Sequence, residues 1–156
     1  MSSEILQPVI ALAIWTMIMW AWMYATRIPA MSKSPDIDAP AKLVGTTGSD
    51  LRSKLPEKVN WKEDNYNHLH EQPTLFYAVA IVLAIVGAGD GMNAFLAWIY
   101  VGLRIAHSLV QATANRVVVR FVLFALSSIV LIVLIYDAAM IVFGGTLPEE
   151  VGPVMV

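Results

Sequence analysis

The chain has 156 residues, 58% hydrophobic and 14% charged, with a formal net charge of −2 and no cysteine. A soluble domain carries about 25% charged residues and roughly 45–50% apolar ones, and so short a chain cannot hide the excess from water. Lipid is therefore the expected solvent, one domain is expected, cysteine chemistry is excluded, and no nucleic-acid partner is expected.

The N-terminus, Met1-Ser2-Ser3-Glu4, lacks the basic region of a cleaved signal peptide, and the uncharged run after it is long enough to span. The first span is predicted at about residues 5–26. A polar loop, 27–60, follows and holds Pro29, Pro35, Pro40 and Pro56, while Pro8 falls in the first turn of span one, where a missing N–H costs little. The second helix is predicted over 61–89, its polar start projecting from the membrane and its apolar part opening near Gln72-Pro73. A tight turn, Gly87-Ala88-Gly89-Asp90-Gly91, leads to a third helix over 92–114 and a fourth over 119–143. The fold class is all-α, an integral membrane four-helix bundle, and the tail beyond Gly144 is expected to be loose.

Basic residues orient the spans. Arg27, Lys33, Lys42, Arg52, Lys54, Lys58 and Lys62 fall in or near the first loop, Arg116 and Arg120 in the third connection, and only Arg104 inside a span. Lys and Arg gather on the cytoplasmic side, so both termini are expected outside and both basic loops inside. Ala80, Ala84 and Ala88, and Gly102 with Ala106, recur every fourth residue and suggest close helix packing. Trp15, Trp20, Trp22 and Trp98 read as lipid-facing or interfacial.

Charge inside a membrane costs about 2.5–3.5 kcal/mol per residue on insertion scales and marks a functional candidate. Tyr100, Arg104, His107 and Gln111 are spaced by four, three and four residues, which puts them on one helical face. The second helix opens with Asn67, His68 and Glu71, and Arg116 and Arg120 open the fourth. The topology gathers these groups in the inner leaflet, as a polar pocket suited to a small molecule bearing carboxylates and an ammonium. A nearby arginine would also favour a thiolate. A bland alternative pairs Arg104 with Glu71, and another sets His68 or His70 against His107 as haem ligands, although the arginines already account for the pocket.

Two stretches carry a resemblance: Asp64-Asn-Tyr-Asn-His-Leu-His-Glu-Gln-Pro-Thr-Leu-Phe-Tyr77, and Trp98-Ile-Tyr-Val-Gly-Leu-Arg-Ile-Ala-His-Ser108 continuing through Asn115-Arg116 to Arg120-Phe121. The pattern resembles the membrane-associated proteins in eicosanoid and glutathione metabolism, the MAPEG family, in a divergent bacterial form. The resemblance implies a homotrimer binding glutathione between subunits near the cytoplasmic face, and a transferase or peroxidase acting on lipophilic small molecules drawn from membrane lipid. It implies that Glu71 holds the amino end of glutathione, that His107 belongs to the site, and that Arg120 stabilises the thiolate. His68, Asn67, Arg104, Gln111, Arg116 and Arg27 complete the candidate binding set. Gln111, Phe121 and Phe124 stand where the family pattern carries hydroxyls, which keeps open a non-catalytic trimeric scaffold or accessory subunit.

Overall fold

A computed structural model of the chain describes residues 3–34, 37, 45 and 47–144. Lys42 of the basic loop and the tail beyond Gly144 lie outside the described residues. Six helices follow in chain order among those described: α1 (Leu6–Ser32), α2 (Gly48–Ser53), α3 (Glu57–His68), α4 (Gln72–Ile85), α5 (Met92–Thr113) and α6 (Val117–Gly144). Three of them, α1, α5 and α6, are long and apolar enough to cross a membrane. Their outer faces carry large apolar side chains, such as Ile10 and Met17 on α1 and Ile129, Ile132 and Phe143 on α6. In water such surfaces would drive association; here they are what lipid covers, and the chain is an integral membrane protein.

Several boundaries differ from those expected. The first helix runs on through Pro29 to Ser32 instead of ending near Thr26. Contacts with α3 hold its last turns in place: Arg27 pairs with Glu63, and the Lys62 ammonium lies over the Trp22 ring, 5.7 Å from its centroid. The expected loop 27–60 therefore contains the end of α1, all of α2 and the start of α3.

The predicted helix 61–89 is two helices. α3 ends at His68, α4 starts at Gln72, and Glu71 between them has φ −86° and ψ −99°. Pro73 explains the break. Inside a continuous helix its ring would clash with the carbonyl of Leu69 and remove a hydrogen bond, whereas in the first turn of α4 it costs neither. At the other end α4 stops at Ile85, before Gly87 with φ +74°. Its 14 residues span about 21 Å, short of a hydrocarbon core of about 30 Å.

The central helix is α5, which packs against α6, α1 and α3, while α4 packs against α6 and α1. Phe76 of α4 stacks on Tyr100 of α5 with centroids 4.4 Å apart. The end of the bundle holding the α4–α5 turn is tied to the N-terminus: Ile5 N–H donates to the Gly89 carbonyl at 2.9 Å, and Ser3 Oγ and Glu4 N–H donate to Asp90 Oδ1 at 3.0 and 2.6 Å. The small-residue faces differ from one another. Ala80 is fully buried, but Gly102 is exposed, and a Cβ built there would meet nothing within 4 Å.

Candidate functional site

The face predicted on α5 is the interior face of the bundle. Tyr100, Arg104, His107 and Gln111 are all buried, Arg104 completely. Burial of this kind needs partners, and Arg104 has one among the described residues: its Nη2 donates to the His68 carbonyl at 3.1 Å. That carbonyl lies in the last turn of α3, where helix carbonyls lack intrahelical donors, so the break before α4 supplies the acceptor. Arg104 makes no ion pair with Glu71. Its Nε and Nη1 have no partner among the described residues, and neither has the Gln111 Oε1 one turn beyond His107.

His68 joins the two layers of the site. Its Nδ1 bonds Glu71 Oε2 at 2.8 Å, three residues on and across the break between the helices. Its ring lies 4.9 Å from that of His107 and 5.7 Å from that of Phe124. Two imidazoles in such contact leave no room between them for a haem. The Glu71 side chain is 66% exposed, so its second oxygen is free to meet a cation.

A cavity of about 230 Å³ opens beside these rings, lined by His68, His107, Val117, Arg120, Phe121 and Phe124. Three elements build it: the end of α3, the C-terminal half of α5 and the first two turns of α6. Its polar groups are two imidazoles and a guanidinium, and its remaining wall is apolar. Arg120 Nη1 donates to Asn115 Oδ1 at 2.6 Å, and its Nε has no partner among the described residues. This arrangement can take an anion against Arg120 and an apolar group against Phe121 and Phe124, with an ammonium at Glu71.

The candidates thus divide. His68, His107 and Arg120 meet at the cavity, with Glu71 and Arg104 attached through His68. Arg27 is engaged with Glu63 between α1 and α3. Asn67 is exposed on α3, and the break after His68 removes the helical register that would have aligned it with Glu71. Arg116 is exposed in the residue before α6. His70 is exposed, with its Nδ1 on the Tyr66 carbonyl at 2.8 Å.

Two features escaped the sequence reading. Asn115, which anchors Arg120, could have been suspected as an asparagine at a helix junction next to basic residues. The second is a knot of three helices: Ser108 Oγ on α5 accepts from Trp15 Nε1 of α1 at 3.0 Å and from Asn65 Nδ2 of α3 at 2.7 Å. Trp15 is therefore only partly directed at lipid, and no local pattern could pair it with Ser108.

The fold and the site together define a polytopic, all-helical membrane protein with an ionic cavity near one end of its bundle. A model of the MAPEG family matches residues 5–140, and the chain belongs to that family. Members of the family commonly use glutathione. No curated protein and no solved structure matches the chain.

Proposed function

We infer that the protein is a membrane-bound, glutathione-dependent transferase or peroxidase acting on lipophilic electrophiles. The observation that carries this reading is the convergence of His68, His107 and Arg120 on one cavity whose other wall is Phe121 and Phe124. Glutathione has two carboxylates, an ammonium and a thiol. The exposed Glu71 carboxylate suits the ammonium, and the arginines suit the anionic groups. Bound glutathione supplies a thiol as nucleophile.

Arg120 lowers the pKa of that thiol by placing a positive charge beside the sulfur. His107 and His68 orient the tripeptide through their ring nitrogens. Phe121 and Phe124 give the electrophile an apolar seat at the lipid boundary, so the co-substrate enters laterally while glutathione arrives from water. In transfer, the sulfur forms a bond to the electrophilic carbon, the leaving group departs with its electron pair, and the thiol proton goes to solvent.

The same reading assigns α4 as a fourth crossing, completed by the residues that flank it. Both termini then lie on the non-cytoplasmic side of a bacterial inner membrane, and the basic segments around α2, α3 and Arg116 face the cytoplasm. The cavity opens beside Phe121, which is 67% exposed, so a second copy in a homotrimer would close it.

The test is turnover. Purified protein should conjugate glutathione to a broad electrophile such as a chlorodinitrobenzene, and Arg120→Ala should lose about 10²-fold or more, in the range of other groups that stabilise developing charge. Unchanged turnover in Arg120→Ala refutes the assignment. One observation favours a second reading, a non-catalytic trimeric scaffold: no hydroxyl lines the cavity around Arg120. Glutathione binding without turnover of any electrophile or hydroperoxide selects that reading.

A further inference from the structure

Asn115 occupies the joint between α5 and α6. Its φ of +48° makes it the one non-glycine residue of positive φ among those described. Asparagine enters this left-handed region more readily than most side chains. The backbone N–H of Asn115 donates to the Val110 carbonyl at 2.7 Å, which caps the end of α5.

The side chain has a separate role. Asn115 Oδ1 accepts from Arg120 Nη1, and this is the only hydrogen bond of the Arg120 side chain among the described residues. Glycine would satisfy the backbone equally well; only a side-chain acceptor of this length reaches the guanidinium. Asn115 also lines a second cavity, of about 600 Å³, shared with Arg52, Asn60, Trp61 and Asp64.

We propose that Asn115 is a positioning residue, which fixes one terminal nitrogen of Arg120 so that the other is held toward the anionic ligand of the His68–His107 cavity. A free arginine samples many rotamers, and holding it before the ligand arrives removes an ordering cost from binding and from the reaction. The proposal rests on the reading of Arg120 as the group that stabilises the thiolate.

Two variants separate backbone from side chain. Asn115→Gly keeps the positive φ and drops the acceptor, and Asn115→Asp keeps an acceptor. The first readout needs no glutathione: the rate at which phenylglyoxal, an arginine-selective dicarbonyl, modifies Arg120 in the full chain in detergent, followed by peptide mass spectrometry. Modification should run several-fold faster in Asn115→Gly and at the wild-type rate in Asn115→Asp. The second readout is the pH titration of thiolate absorbance with glutathione bound. Asn115→Gly should lower the thiolate fraction near neutral pH by about tenfold, one pKa unit. Equal modification of Arg120 in wild type and Asn115→Gly overturns the proposal. If Arg120 reactivity follows the acceptor but the wild type raises no thiolate signal, the anchoring is supported and the glutathione reading is the one overturned.

Discussion

Replacing Ser108 by alanine strips one oxygen from the bundle and leaves two donors without an acceptor. The Asn65 amide, 2.7 Å away, is fully buried, and its Oδ1 already lacks a partner among the described residues. The Trp15 indole N–H, at 3.0 Å, is half-buried. An orphaned buried donor costs about 1–3 kcal/mol. The half-buried indole belongs at the low end of that range, so Ser108→Ala should destabilise the fold by about 2–4 kcal/mol. If both bonds are worth only the average interhelical bond measured between membrane helices, about 0.6 kcal/mol each, the loss falls to about 1 kcal/mol.

Trp15→Phe provides the contrast, because it removes a donor and leaves Ser108 still bonded to Asn65. It should cost less than Ser108→Ala. Reversible unfolding in mixed micelles with increasing dodecyl sulfate measures both. A Ser108→Ala change below about 0.5 kcal/mol, or a larger loss in Trp15→Phe, refutes the three-helix knot as a source of stability.

Gly89→Ala should also destabilise, by about 1–3 kcal/mol as overpacking does, since its Cβ would lie 2.6 Å from Ile5 Cγ2 and 3.2 Å from the Ala84 backbone; the same micelle titration reads it. Arg52→Ala should cost under about 1 kcal/mol, because its bidentate pair with Asp64 is partly exposed at 44% and 34%; a larger loss would mean that α2 anchors the fold. The Asp50 carboxyl is held below the usual carboxylate range, chiefly by the hydrogen bond from the Thr47 side chain and then by the Thr47 backbone N–H. A lowered pKa stabilises the cap above the unfolded value and withdraws that support as pH falls through the folded one. The protection factors of the α2 amides should therefore fall under acid, and Thr47→Ala, which keeps only the backbone N–H donor, should weaken that pH dependence.

Helical period made the α5 face readable. Tyr100, Arg104, His107 and Gln111 recur at steps that allow one face, and a charge among apolar residues must turn inward. The break after His68 was signalled by Pro73, but a proline can equally well open a helix or interrupt one, and the polar run before it is helical in its own right. The extension of α1 was not legible, because contacts remote in sequence hold it: Arg27 with Glu63, and Trp22 with Lys62. Trp15 was misjudged for a related reason. Its ring is amphipathic, and only the fold decides whether its N–H meets headgroups or Ser108.

Glutathione binding to the purified protein in detergent, measured by calorimetry, bears most directly on the cavity. Wild type should bind in the micromolar to millimolar range, and Arg120→Ala should bind at least about tenfold more weakly, since a hydrogen bond to a charged group contributes about 1.5–3 kcal/mol. Absence of heat from the wild type, or equal affinity in the two proteins, would contradict the assignment of His68, His107 and Arg120 as a glutathione site.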